Sequence, residues 1–121
     1  MLHKEPALKV IAMPQDTNPA GDMFGGWIVS MIDLAGWVEA RKTSCKRFAT
    51  IAMDGIRFHN PVYVGDCVEC YAQVEKIGNT SITVQVDVYV ERTDGEKLKV
   101  TEGRCVYVAL DENRKPVPVK D

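Results

Sequence analysis

Trp27-Ile28-Val29-Ser30-Met31-Ile32-Asp33-Leu34-Ala35-Gly36-Trp37-Val38-Glu39-Ala40-Arg41-Lys42-Thr43-Ser44-Cys45 is the stretch on which the fold turns. It holds no proline and is longer than an ordinary strand, so it predicts a helix over 27–45. Trp27, Ile28, Met31, Ile32, Leu34, Ala35 and Val38 cover more than one stripe of that helix, the pattern of a helix enclosed by protein. Glu39, Arg41, Lys42 and Lys46 bring its far end out to water.

Upstream, the texture is different. Residues 14–26, Pro14-Gln15-Asp16-Thr17-Asn18-Pro19-Ala20-Gly21-Asp22-Met23-Phe24-Gly25-Gly26, are rich in turn formers and predict a loop directly before the helix. A short apolar run, 7–13, predicts a first strand that stops at Pro14. Downstream, four long strands are expected over 48–58, 66–76, 80–92 and 97–110. In the third of these Ile82, Val84, Val86, Val88 and Val90 share one face, with Ser81, Thr83, Gln85, Asp87 and Tyr89 on the other. Gly78-Asn79 and Asp94-Gly95 read as hairpin turns, so the last three strands form a meander. The expected class is α+β: a curved antiparallel sheet of five or six strands wrapped around one long buried helix. A single sheet cannot cover a helix that is apolar on most sides, and a second copy of the chain is the natural source of the remaining cover.

With 121 residues and 45% apolar content the chain fits one domain, 1–121, ending in an irregular tail over 111–121. A net charge of -2, from 15 basic and 17 acidic residues, supplies no positive field suited to nucleic acid. No apolar run approaches the roughly 20 residues of a membrane span, and the opening residues Met1 to Pro6 lack the apolar core of a signal peptide, so a soluble, cytoplasmic protein is expected. Cys45, Cys67, Cys70 and Cys105 are expected as reduced thiols. Cys67 and Cys70 have metal-like spacing, but they sit in an alternating strand where residues three apart face opposite ways. No metal site is expected.

The run from Asn18 to Trp27, followed by Ser30-Met31-Ile32-Asp33, resembles the acyl-CoA thioesterases of the hotdog superfamily, especially the YciA-type enzymes. Phe58-His59-Asn60-Pro61-Val62-Tyr63-Val64-Gly65-Asp66 is similar to the same family's strand-turn-strand element, and the likeness runs from about residue 11 to residue 110. It implies a hotdog fold, homodimers joined by sheet extension, and trimers of such dimers. It implies hydrolysis of acyl-CoA to a free carboxylic acid and CoA. By the same resemblance Asp33 falls at the catalytic carboxylate and Gly25-Gly26 at the helix end that polarises the thioester carbonyl. Some relatives carry a functional asparagine where Asp22 stands, so whether Asp22 orients water, binds substrate or caps the helix stays open. Asn18 and Phe24, inside the matched run, are assigned to substrate binding.

The chemistry has a physical basis. The free amides of a helix's first turn are donors for a carbonyl oxygen that becomes negative, and glycine lets a substrate approach them. Asp33 is the sole ionisable side chain between Trp27 and Val38, and apolar neighbours would favour its basicity. It could equally be a surface aspartate, and a carboxylate can act as general base or as nucleophile. Gly25 and Asp33 are eight residues apart (33 − 25). At about 1.5 Å per residue they stand roughly 12 Å apart along one axis, too far to serve one carbonyl carbon. Two antiparallel helices across a two-fold axis would instead give two composite sites, each with Gly25 and Gly26 from one copy and Asp33 from the other.

Other candidates are weaker. A triad would need a histidine, of which there are only His3 and His59, and no GxSxG elbow surrounds any serine. The glycines of 21–26 lack dinucleotide-binding spacing. Arg57, with Lys42, Arg47 and Lys76, could meet the coenzyme's phosphates, Arg57 being the first choice. No cofactor is implied beyond the coenzyme A of the substrate. Two alternative functions remain: a hotdog hydroxyacyl-thioester dehydratase, whose relatives carry an active-site histidine that this helix lacks, and a non-catalytic acyl-CoA-binding protein.

Overall fold

The computed structural model describes residues 5–120. His3 and most of the opening segment read above lie outside them. Five strands and one helix follow in order: β1 (Leu8–Ile11), α1 (Gly25–Thr43), β2 (Arg47–Phe58), β3 (Cys67–Ile77), β4 (Ser81–Glu91) and β5 (Lys97–Leu110), with a single 3-10 turn at Pro14–Asp16. The strands form one antiparallel sheet in the order β1-β3-β4-β5-β2, curled around α1. This is the expected α+β hotdog architecture with five strands, and β3, β4 and β5 form the meander.

The alternation in β4 translates directly into packing. Ile82, Val84, Val86 and Val88 are fully buried and Val90 nearly so, while the residues between them are half-exposed. Each buried valine contributes roughly 1.5–3 kcal/mol relative to an exposed one, which seats α1 on the centre of the sheet. On β5 the same face carries Thr101, Gly103, Cys105, Tyr107 and Ala109, all buried. A Cβ at Gly103 would lie 2.5 Å from the terminal methyl of Ile56, which would have to turn aside. Register shifts interrupt β2 between Thr50 and Ala52 and between Asp54 and Arg57. Such bulges strengthen the local twist, and Gly55, at φ 63°, takes up the second one.

The sheet does not finish the job. Leu34 on α1 is 52% exposed, and on β2 Ile51 and Phe58 are 59% and 53% exposed. The helix is thus covered on one side by its own sheet and bare on the other, and β2 ends the sheet with an unpaired edge among the described residues. Residues 111–120 are irregular and mostly exposed but anchored near their end: Val119 is buried, its amide donates to Asn79 O at 2.8 Å, and Ser44 Oγ donates to Val119 O at 2.8 Å. All four cysteines are unpaired thiols. Cys70 lies in the core, where burial pushes its thiol up to about 12, so it stays protonated and inert.

Thr101 is an exception to good packing chemistry, because its buried hydroxyl has no hydrogen-bond partner among the described residues. Leaving a hydroxyl so costs about 1–3 kcal/mol. Thr101→Val keeps the shape and removes the orphan, so it should raise unfolding stability by about 1 kcal/mol. Denaturant midpoints at matched protein concentration check this; a lower midpoint for the variant would contradict it.

Candidate active site

The helix starts two residues earlier than the sequence predicts, at Gly25. Glycine is a poor helix former, but the Phe24 carbonyl, at the N-cap, accepts from Trp27 N at 3.1 Å and from Ile28 N at 3.3 Å and so closes the first turn over both glycines. No side chain caps this end. Among the described residues the amides of Gly25 and Gly26 have no acceptor, which leaves two donors at the positive end of the helix dipole. Added Cβ atoms distinguish the two glycines. At Gly25 one would press on the Phe58 ring, 3.2 Å from Cζ, whereas at Gly26 it would meet nothing within 4 Å.

The preceding loop is pinned from both sides. Asn18 Oδ1 accepts from Ala20 N at 2.9 Å and Asp22 N at 3.1 Å, and Asn18 N donates to Asp22 O at 2.6 Å. Met23 N donates to Val62 O at 2.8 Å, and Phe24 N to Asp16 O at 3.0 Å. The result is a cavity of about 230 Å³ whose wall includes Asn18, Asp22, Gly25, Ile28, Phe58 and Asn60. Asn60 is itself held, donating through Nδ2 to Lys99 O at 2.7 Å.

The structure therefore brings together Asn18, Asp22 and Gly25. Gly26 stands beside them, exposed, at the helix end. Phe24 is outside the cavity wall, 51% exposed at the N-cap, and Arg57 is exposed on β2, opposite Glu102 in the register. Asp22 caps nothing in α1, since that end has no side-chain cap. His59 lies between two wall residues but turns the other way. Its Nε2 is 3.5 Å from Glu102 Oε1, and Lys99 Nζ lies 2.7 Å from the same oxygen. The Lys99 hydrogen bond is the main cause holding the Glu102 carboxyl below its usual range.

Asp33 is absent from that cavity wall. It sits half-buried two turns further along α1, among hydroxyls where the sequence suggested apolar neighbours. Thr50 Oγ1 donates to Asp33 Oδ1 at 2.9 Å. Tyr107 Oη reaches Asp33 O at 2.7 Å and Oδ1 at 3.1 Å. Tyr107 is fully buried, and burial first, then Cys105 and Asp33 beside it, push its phenol up, so it is a neutral donor. Neither Thr50 nor Tyr107 was a candidate from sequence. One signal did point there: Gly36, a glycine inside a helix, where alanine would be about 1 kcal/mol better. A Cβ at Gly36 would collide with Tyr107 Oη, so the absence of a side chain there admits that hydroxyl.

A long helix swaddled by a curled antiparallel sheet is the architecture of the hotdog fold. The comparisons agree. The family model of the thioesterase superfamily matches residues 20–96. The acyl-CoA thioester hydrolase YciA of Salmonella typhimurium is 41% identical over 119 residues, covering 95% of this chain and 90% of the relative. A hexameric hotdog fold thioesterase of Campylobacter jejuni is 47% identical, with a TM-score of 0.91, covering 96% of this chain and 90% of that one. A hexameric thioesterase of Yersinia pestis is 40% identical, with a TM-score of 0.93 and coverage of 100% and 99%. The chain belongs to the thioesterase superfamily, among its YciA-type acyl-CoA thioester hydrolases.

Proposed function

We propose that this protein hydrolyses acyl-CoA thioesters in sites that two copies of the chain complete together. The amides of Gly25 and Gly26 from one copy hold the carbonyl oxygen as it becomes negative, and Asp33 of the other drives the attack. As a base, Asp33 takes a proton from water, whose oxygen bonds to the carbonyl carbon; the C–S bond then breaks and the thiolate of CoA leaves with a proton. As a nucleophile, Asp33 bonds the same carbon, expels CoA and gives an anhydride that water opens. Solvent isotopic oxygen appearing in Asp33 after one turnover marks the second route, with water opening the anhydride at the Asp33 carbonyl. Neither route needs a metal or a redox group.

The observation that carries the shared-site reading is that the cavity beside the glycine amides does not include Asp33. The bare flank of α1 and the exposed apolar residues of β2 support it, because a second copy laid there would cover them. The hexameric relatives from Campylobacter jejuni and Yersinia pestis also support assembly, and a dimer by sheet extension with three dimers in a hexamer is the arrangement we infer. One observation favours a second reading: Asp22 lines the same cavity as Gly25, so a carboxylate is available without a partner. Thiol release by Asp33→Asn and Asp22→Asn variants separates them. The shared-site reading expects near-complete loss in the first and substantial activity in the second; the reverse would favour Asp22.

The dehydratase alternative has little to work with, since His59 is engaged with Glu102 outside the cavity wall. Among the described residues no helix is long and apolar enough to cross a membrane. Four unpaired thiols suit a reducing compartment, which supports the cytoplasm as its location.

A further inference from the structure

Tyr107 presents one proton to two oxygens of the same residue. Its hydroxyl lies 2.7 Å from the Asp33 carbonyl oxygen and 3.1 Å from Asp33 Oδ1, and one O–H makes a well-aligned bond to only one of them at a time. The ring is fully buried and cannot swing away, while the space that admits the hydroxyl exists only because Gly36 has no side chain. Thr50 holds the same carboxylate oxygen, but from β2, on the half of the sheet whose apolar side chains are exposed. Tyr107 approaches from beneath the helix and grips backbone and side chain together.

We propose that Tyr107 is a positioning residue for Asp33, one whose hydroxyl turns between the two oxygens so that the carboxyl keeps its orientation whether charged or protonated. When Asp33 is ionised, the phenol donates to Oδ1. When Asp33 carries a proton, the carboxyl donates to the phenolic oxygen and the phenol donates to the Asp33 backbone carbonyl. No proton passes to or from Tyr107 in either state, in keeping with a phenol that burial keeps neutral. The inference rests on Asp33 being the reactive carboxylate.

The test is steady-state hydrolysis of butyryl-CoA by the intact oligomer, with melting temperature measured alongside. Tyr107→Phe keeps the ring and removes the hydroxyl, so kcat should fall about 10- to 100-fold with KM within about 3-fold of the parent, the pattern of a misaimed reactive group. Gly36→Ala puts a methyl where the hydroxyl sits and should reproduce that split by displacing it. The double variant should be little worse than either single one, because both remove the same bond. A Tyr107→Phe enzyme with parental kcat, or losses that multiply in the double variant, would overturn the proposal. Asp33→Asn run in parallel keeps the two claims apart: full activity there sinks the carboxylate assignment itself, whereas loss there with an unimpaired Tyr107→Phe sinks only the positioning role.

Discussion

Asp33→Asn should lower kcat for acyl-CoA hydrolysis by about 10²- to 10⁴-fold, the range that a positioned base contributes. Asparagine fits the same space, and its side-chain oxygen can still accept from Thr50 and Tyr107, which hold Oδ1 at 2.9 and 3.1 Å. The fold and the cavity at the start of α1 should therefore survive, since its wall does not include Asp33. KM should stay within a few fold while turnover collapses, because what is lost acts only as the reaction proceeds. Free-thiol release over a range of substrate concentrations checks both constants, and a loss confined to KM would mean that Asp33 binds substrate and does no chemistry.

The second large effect concerns stability. Asp66 and Arg92 form a buried ion pair, with side chains 3% and 14% exposed. Asp66 Oδ2 also accepts from Tyr63 N at 2.9 Å, and the Arg92 guanidinium lies 4.5 Å from the centre of the Tyr63 ring. The pair thus anchors the connection between β2 and β3, whose Val62 carbonyl receives Met23 N from the loop that shapes the cavity. Arg92→Met leaves a carboxylate buried without its cation, at a cost of about 3–5 kcal/mol. Adding Asp66→Asn removes the stranded charge while keeping an acceptor for Tyr63 N, so the double variant should be more stable than Arg92→Met alone. Denaturant unfolding at matched concentrations reads both; a single variant as stable as the parent would contradict the anchoring role.

Much of the scaffold could be read from the chain. The alternation from Ser81 to Val90 gave β4 and its buried face, and Gly78 and Gly95 marked the two hairpins of the meander. These are local signals, set by residues within a few positions of one another. The glycine end of the helix was legible for the same reason, although glycine's low propensity put the expected start too late, and only the Phe24 carbonyl's two bonds show where the helix begins. The surroundings of Asp33 were not legible. Thr50 and Tyr107 are 17 and 74 positions away, and they meet Asp33 only through the packing of α1 on β2 and β5. No periodicity encodes that register. Asn18 was read for substrate, yet the structure spends its side-chain oxygen on the amides of Ala20 and Asp22, so its first effect is to shape the loop.

On the proposed mechanism, neither Asp33 nor the Gly25-Gly26 turn completes a site within its own chain. The most direct measurement is hydrolysis by mixed oligomers of Asp33→Asn and Gly26→Val subunits, co-expressed with different tags and purified through both. A Cβ at Gly26 meets nothing within 4 Å in its own chain, and valine there would crowd a carbonyl approaching the amides. Each variant alone should be nearly inactive. In a random mixture half the dimers carry one of each and have one intact site in two, so before tag selection activity should return to about a quarter of the parent's. Doubly tagged material should do better still. A mixture no more active than its separate components would contradict the shared site.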